Sequence, residues 1–233
     1  MLNDNRTASL LVIAATTLIG ATSGSLGGAS FALVGAAAGA LWGLGLAVVA
    51  SRLTRSPARR RRWANGTLFA SAVIGGLITG VGFLSLLMQN AALSSQPELF
   101  AAMIRGAVGS AEALPFYLFN TPLEWILIPG ALLLTWSVPE VRRLTLVALV
   151  VWTAHRVWTY VHFVPLIIEW SEAAAPMTPG ELDQARTWVN LSWIRNGADL
   201  ATLILVLLAG FRHAGTSSHV VPGINRTQSV ARS

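Results

Sequence analysis

The chain has no cysteine, no lysine and little charge of either sign. The missing cysteines exclude disulfides, thiolate catalysis and cysteine-based metal sites. Charged residues make up 11% of the 233 residues, whereas a typical soluble domain carries about 25%. Hydrophobic residues make up 54%, and the mean hydropathy is +0.60. This composition indicates an integral membrane protein that folds as one helical bundle.

Long apolar runs predict an all-α polytopic fold with about six transmembrane helices. A spanning helix needs about 20 mostly apolar residues, and the candidate spans are 9–26, 30–52, 65–88, 119–138, 144–169 and 189–211. A single helix over 9–52 would be about 66 Å long, so a tight glycine-rich hairpin is expected there instead. Spans three to six then form an antiparallel four-helix core. The predicted units are the hairpin with its arginine-rich cytoplasmic loop (1–62), the bundle (63–213) and a disordered tail (214–233).

The distribution of arginine predicts the orientation in the cell membrane. With both termini cytoplasmic, the cytoplasmic segments would contain Arg6, Arg52, Arg55, Arg59, Arg60, Arg61, Arg62, Arg142, Arg143, Arg212, Arg226 and Arg232. The opposite side would then hold only Arg105 and Arg186, in agreement with the positive-inside rule. We interpret the run at 59–62 as a topology determinant that contacts membrane lipid, and we expect no nucleic-acid partner.

Glycines recur every four residues in the predicted hairpin, at Gly20 and Gly24 and again at Gly35, Gly39 and Gly43. Small residues at this spacing allow helix backbones to approach closely. One interpretation is packing of the two hairpin helices against each other. The other is homo-oligomerisation through the hairpin.

The predicted outer loops also carry helical patterns. Residues 97–105 have amphipathic spacing, which is typical of a short helix at the membrane surface. Thr178 and Glu181 form a capping-box pattern, which predicts a helix that starts there and continues into the last span. Four tryptophans near the span ends are expected to form an interfacial belt: Trp63, Trp136, Trp170 and Trp188.

Ionisable residues inside the last two spans are the main functional signal. Charge in hydrocarbon costs roughly 2.5–3.5 kcal/mol per Arg or Asp, so such residues usually face the protein interior. Helix rise places His155 about 16 Å into the fifth span and Asp199 about 15 Å into the sixth, which is the same depth. Arg195 is level with His162. Antiparallel packing of the two spans would bring these groups together.

Helical spacing also predicts which polar residues share a face. On the fifth span, one face carries Trp152, His155, Thr159 and His162, and the adjoining stripe carries Arg156, Tyr160 and Phe163. On the sixth span, one face carries Ser192, Arg195, Asn196 and Asp199, and the neighbouring face carries Asn190 and Trp193. Glu124 on the fourth span lies close enough to the same region to join it.

Two interpretations of these residues stay open. The first is a structural salt-bridge network, in which Asp199 pairs with Arg195 or Arg156 and Glu124 pairs with Arg195. The second is a polar cavity that opens outward between aromatic walls. A metal site is the weaker alternative, because His155 and His162 lie about 10 Å apart along one helix and cannot ligate the same ion. We predict no metal and no other cofactor.

Short motifs between residues 68 and 209 resemble the anthrone-oxygenase-like family of small integral membrane proteins. The motifs are the glycine-bearing helix 72–77 with the loop residues Phe100 and 105–107, the segment 162–168, a short acidic loop, and the helix 188–195. Characterised fungal relatives oxidise anthrones to anthraquinones with molecular oxygen. The resemblance implies a four-helix core and an oxygenase-type cavity, with Asn190, Trp193 and Arg195 as the matching positions. The N-terminal hairpin is an addition to that core.

The leading functional hypothesis is therefore an intramembrane cavity for a small apolar or aromatic molecule, with a cofactor-independent, oxygenase-like activity. In that hypothesis His155 or His162 abstracts a proton, while Arg195 and Tyr160 stabilise the resulting enolate. The ligand-binding residues would be Glu124, Trp152, Arg156, Asn190, Trp193, Asn196 and Asp199. The alternative is a non-enzymatic membrane scaffold or interaction protein whose buried charges form a structural network.

Overall fold

The computed structural model describes residues 2–107, 114–172 and 176–215, and these contain helices and short turns but no strand. The helices are α1 (Leu2–Gly24), α2 (Ala29–Leu53), α3 (Pro57–Ser95), α4 (Pro97–Ala107), α5 (Leu114–Pro122), α6 (Ile128–Thr135), α7 (Pro139–Trp158), α8 (Val164–Glu172) and α9 (Pro179–Gly215). Two π-helical turns continue α5 into α6 and α7 into α8; they are the first π turn (Leu123–Leu127) and the second π turn (Thr159–Phe163). Of the predicted tail, residues 216–233 lie outside the described part.

Six helical stretches are long and apolar enough to cross a membrane, which confirms the predicted all-α polytopic fold. Four of them form a ring in which α3 and α7 each contact both α6 and α9. Helix α9 runs antiparallel to α3, because Gly82 lies beside Asn196 and Gly75 lies beside Leu203. Apolar residues fill the ring at one end, among them Leu68, Ala131, Val141, Ala148, Val206 and Ala209.

The N-terminal run folds as the predicted hairpin. The chain turns at Gly28, whose φ of +109° lies in a region that residues with a Cβ rarely adopt. A Cβ added to Gly20 would overlap the backbone of Gly35, and one added to Gly39 would overlap the carbonyl of Thr16. These glycines are therefore used for packing within the chain, as the first interpretation of the glycine pattern proposed.

The hairpin packs on the four-helix core through α1. Val12 is fully buried among Leu132, Leu149 and Trp152 of the core. Helix α2 lies further out, and its apolar residues are mostly exposed, as expected for a helix that faces lipid. The indole of Trp42 is its polar connection to the core, because Nε1–H donates to the carbonyl of Trp125 at 2.7 Å.

The start of α3 differs from the prediction, whereas the start of α9 agrees with it. Helix α3 begins at Pro57, with the Ser56 hydroxyl accepting from the amide of Arg59, so the arginine run 59–62 is helical rather than a loop. Helix α9 begins with the predicted capping box. The Glu181 carboxylate accepts from the amide of Thr178 at 2.6 Å, and the Glu181 amide donates to the Thr178 hydroxyl at 3.3 Å.

Two apolar surfaces near the span ends pack on protein. The amphipathic segment 97–105 is helical as predicted, and its residues Phe100 and Ile104 are buried where α4 packs against α8. The predicted interfacial belt is wrong for three of its four tryptophans, since Trp136, Trp170 and Trp188 are buried and only Trp63 is exposed. In both cases a neighbouring helix covers apolar side chains that, judged from one span at a time, were expected to face lipid.

Candidate functional site

The two π turns occupy the spans that carry the buried polar residues. Each turn ends two residues before a proline, Pro129 in the first case and Pro165 in the second. A proline has no N–H, so it removes the α-helical bond to the carbonyl four residues earlier. For Pro129 that carbonyl belongs to Trp125, and it accepts the indole N–H of Trp42 instead. The hairpin therefore closes a backbone gap in the core.

An indole also donates to the last residue of the second π turn. The amide of Val164 donates to the carbonyl of Thr159, five residues earlier, as in a π helix. The carbonyl of Phe163 accepts from Nε1–H of Trp188 on α9 at 3.3 Å. π turns inside α-helices occur frequently at functional sites, and here they reposition the side chains that follow them.

The placement of His162 illustrates this effect. Uninterrupted α-helical spacing placed Trp152, His155, Thr159 and His162 on one buried face, but the structure exposes His162 and buries Phe163 in its place. The π turn contains one extra residue, so every residue beyond it is rotated around the helix axis. The predicted pairing of His162 with the internal site was therefore wrong. Its ring stacks on Trp158, with centroids 6.4 Å apart, on the outside of the bundle.

A closed polar cluster joins the fourth and fifth spans, and we call it the Glu124 triad (Glu124, Arg156 and Tyr160). Nε of Arg156 donates to Oε2 of Glu124 at 2.7 Å, and an Nη of Arg156 donates to the Tyr160 hydroxyl at 2.9 Å. That hydroxyl donates to the Glu124 carboxylate, at 3.2 and 3.3 Å from its two oxygens. Glu124 is 1% exposed. All three side chains therefore satisfy one another inside the protein.

The charged pairs differ from those expected. Glu124 pairs with Arg156 rather than with Arg195, and Asp199 faces His155 rather than an arginine on its own helix. The cause is depth, because Glu124 is level with Arg156, whereas Arg195 lies further along the bundle beside Phe163. The expected equal depth of His155 and Asp199 is confirmed.

His155 and Asp199 form a second cluster, the His155–Asp199 pair. Nδ1 of His155 lies 3.6 Å from Oδ1 of Asp199, which is too long for a hydrogen bond. Neither atom has another hydrogen-bond partner. On the other side of the imidazole, Nε2 lies 3.5 Å from the hydroxyl of Thr159. Trp152 packs edge-to-face on the ring, with centroids 5.6 Å apart.

A small cavity lies beside this pair, at the centre of the four-helix ring. Its volume of about 10 Å³ is enough for one water molecule. Its wall is formed by Ser71, Gly75, Ile78, Leu123, Ile128, Trp152, Asp199, Thr202, Leu203 and Val206. Only three of these side chains are polar, and Asp199 is the only charged one. The cavity is therefore an apolar pocket with one carboxylate in its wall.

Arg195 lies on aromatic rings rather than against a carboxylate. Its guanidinium is 4.8 Å from the ring centroid of Phe163 and 5.7 Å from that of Trp188. Within the described residues, no carboxylate oxygen comes within 4.0 Å of it. Cation–π contacts of this kind stabilise a desolvated cation by about 2 kcal/mol. Arg195 is thus held by aromatic faces while its charge stays uncompensated at short range.

The remaining predicted site residues do not join either cluster. Asn190 is exposed, and Trp193 packs edge-to-face on Phe83 of α3. Asn196 is buried, and its Oδ1 lies so close to Gly82 that a Cβ there would be 2.6 Å away. Of the positions that match the oxygenase-like motif, Asn190, Trp193 and Arg195, only Arg195 therefore lies near the polar core. Among the described residues, no three metal-ligating side chains converge.

Several residues of the site were not predicted. Ser71 and Thr202 line the cavity, and Phe163 and Trp188 hold Arg195. The two hydroxyl residues did carry a signal, because Ser71 is four residues before Gly75 in an apolar span and Thr202 is three residues after Asp199. Trp188 also carried a signal, because it is seven residues before Arg195 on α9, whereas its contact with Phe163 depends on how two spans pack.

The fold and these clusters define an all-α polytopic membrane protein with a buried polar core. In comparisons with known proteins, the chain matches no family profile, no curated protein and no solved structure. The resemblance to the anthrone-oxygenase-like family accordingly stays a prediction that rests on short motifs.

Proposed function

We propose that this protein is a non-enzymatic membrane scaffold or interaction protein whose buried charges hold its helices together. The observation that carries this proposal is the Glu124 triad, in which carboxylate, guanidinium and phenol satisfy one another away from solvent. The triad links the first π turn to α7 and the second π turn. It thereby fixes the fourth span against the fifth.

Because the Glu124–Arg156 ion pair is buried, it favours one arrangement of the fourth and fifth spans over others. Removing one partner of a buried ion pair leaves an uncompensated charge, which costs about 3–5 kcal/mol, whereas apolar replacement of both partners is often neutral. Such a pair contributes less to net stability than to the choice of one helix arrangement. A scaffold needs that property, because its helices must present one fixed surface to a partner.

The experiment that tests this proposal is a turnover assay on the purified protein in lipid nanodiscs. Anthrones and related aromatic ketones would be supplied with oxygen, and the wild type would be compared with His155→Gln and Arg195→Gln. A scaffold shows no product above the background of empty nanodiscs. Turnover by the wild type that either variant abolishes would overturn the proposal in favour of an enzyme.

One observation favours a second candidate, the oxygenase-like site for a small apolar or aromatic molecule. Among the described residues no carboxylate oxygen lies within 4.0 Å of Arg195, and such a cation could stabilise an enolate formed when His155 removes a proton from the substrate. The central cavity accommodates one water molecule, so an aromatic substrate would require the bundle to open around it. Detection of substrate-dependent helix separation in the same nanodiscs would support this candidate.

We further propose the orientation with both termini on the cytoplasmic side of the cell membrane. The support is the arginine distribution, together with an open groove lined by Arg59, Arg62 and Trp63 at the start of α3. A groove with two cations and an indole suits the headgroup of an anionic lipid. Reporter fusions to the two termini, read out in intact cells, would test the orientation.

A further inference from the structure

The hydrogen bonds around His155 restrict where its protons can be. The hydroxyl of Thr159 donates its own proton to the carbonyl of His155 at 2.9 Å. In that orientation the hydroxyl acts towards the imidazole as an acceptor, and the tautomer that suits it carries the N–H of His155 on Nε2, 3.5 Å away. Nδ1 of a neutral His155 then presents a lone pair towards the carboxylate of Asp199, 3.6 Å away.

Two acceptors that face each other in a buried site repel unless a proton lies between them. One added proton removes the conflict, either on Nδ1 of His155 or on Oδ1 of Asp199. Both atoms otherwise lack a partner, although buried polar atoms in proteins are nearly always satisfied. The two unpartnered atoms therefore favour a pair that holds one added proton.

The surrounding charges act in the opposite direction. The cations that act on the pair are Arg156 on the same helix as His155 and Arg195 on the same helix as Asp199. Arg156 is paired with Glu124, whereas Arg195 lies on the rings of Phe163 and Trp188. Helix α3 contributes Ser71, Gly75 and Ile78 to the adjoining cavity and no titratable group to its wall, which α6 lines only with Ile128. These two positive charges therefore oppose uptake of the proton that the unpartnered atoms favour.

The cavity supplies a contact for water at Asp199. The hydroxyl of Ser71 donates to the carbonyl of Thr67, and that of Thr202 donates to the carbonyl of Ala198, so both have lone pairs left to accept. A water in the cavity can donate to these hydroxyls and to Asp199. Further polar atoms without partners, Oγ of Ser192 and Oδ1 of Asn196, continue along the same face of α9 towards its first turn.

We propose that the His155–Asp199 pair is a proton-binding site, which water reaches along the interface between α3 and α9. The proton is held on Nδ1 of His155 or on Oδ1 of Asp199, and it leaves through the cavity water. The ligand is thus a proton supplied by the aqueous phase, and the site gives the bundle a pH-dependent charge in its centre. This activity does not depend on whether the protein is a scaffold or an oxygenase.

The test is infrared difference spectroscopy of the full-length protein in nanodiscs across a pH titration. The wild type should gain a protonated-carboxylic-acid or imidazolium band as the pH falls, and the band should shift in deuterium oxide because water reaches the site. Asp199→Asn and His155→Gln should each lose or shift that band. Matched controls are His162→Gln and Asp183→Asn, which change exposed residues on the same two chain segments. Each should remove only the contribution of its own side chain and leave the component that Asp199→Asn and His155→Gln remove.

Three outcomes would overturn the proposal. They are a wild-type spectrum with no such titration, a band that survives in both Asp199→Asn and His155→Gln, and a band that does not respond to deuterium oxide. If either variant fails to fold, nitrogen-15 spectra of histidine-labelled wild type replace it. A pH-dependent change at Nδ1 of His155, either its protonation or a new hydrogen bond from a protonated Asp199, supports the site. A His155 signal that is the same at every pH contradicts it.

Discussion

The Glu124 triad and the His155–Asp199 pair lie next to each other but differ in how their polar groups are satisfied. In the triad every charge meets a protein partner at hydrogen-bond distance. In the pair the two facing atoms are 3.6 Å apart, unpartnered, and adjacent to a cavity. The difference indicates that burial alone does not decide the role of an intramembrane charge. A closed cluster fixes helices, whereas an open one keeps the capacity to bind a proton.

The largest expected effect comes from breaking the closed cluster. Glu124→Leu leaves Arg156 buried without a counter-charge, so the free energy of unfolding should fall by about 3–5 kcal/mol. Reversible unfolding in mixed micelles measures this change. The control is Glu124→Leu combined with Arg156→Met and Tyr160→Phe, which removes the charges together and should recover most of the loss. A triple variant as unstable as the single one would contradict the structural role.

The hairpin offers a second closed contact of a different kind. Gly39→Ala places a methyl group against the carbonyl of Thr16, and the helices must separate to accept it. We expect a loss of about 1–3 kcal/mol in the free energy of unfolding. Gly45→Ala, on the same helix but with open space at its Cβ position, is the matched control. Equal effects of the two substitutions would mean that α1 and α2 do not pack against each other at Gly39.

A third closed contact is the bond between Trp42 and the first π turn. Trp42→Phe keeps the aromatic surface but removes the donor to the Trp125 carbonyl, which Pro129 cannot replace. The expected loss is about 1 kcal/mol. Trp63→Phe changes an exposed tryptophan outside this contact and serves as the control. No difference between the two variants would show that water or another group satisfies the carbonyl.

The smallest effect on stability is expected in the open cluster. Asp199→Asn is nearly isosteric and removes one of two facing acceptors, so the free energy of unfolding should change by less than about 1 kcal/mol. Glu124→Gln is the matched comparison, since it makes the same chemical change in the closed cluster. The distinction between the two clusters would be lost if Asp199→Asn were the more destabilising of the two.

Much of the fold could be predicted from the sequence because hydropathy and capping are local properties. The six spans, the hairpin and the Thr178–Glu181 capping box all follow from neighbouring residues. Helix rise also gave the equal depth of His155 and Asp199. These predictions needed no knowledge of which helices are neighbours.

The site itself was less predictable because it depends on interruptions of regular helix geometry. The second π turn rotates His162 out of the bundle and Phe163 into it, which constant α-helical spacing cannot anticipate. Pro129 and Pro165 were visible as a signal, since each removes an α-helical hydrogen bond. Glu124 pairs with Arg156 rather than with Arg195 because of the relative heights of these residues on neighbouring helices. Only the packed bundle determines those heights.

The most direct test of the central contrast is a pair of double-mutant cycles for unfolding in mixed micelles. One cycle couples Glu124→Gln with Arg156→Gln, and the other couples Asp199→Asn with His155→Gln. We predict a coupling energy of about 2 kcal/mol or more for Glu124 with Arg156, as measured for close charge pairs elsewhere, and a clearly smaller one for Asp199 with His155. A coupling between Glu124 and Arg156 no larger than that between Asp199 and His155 would contradict the account.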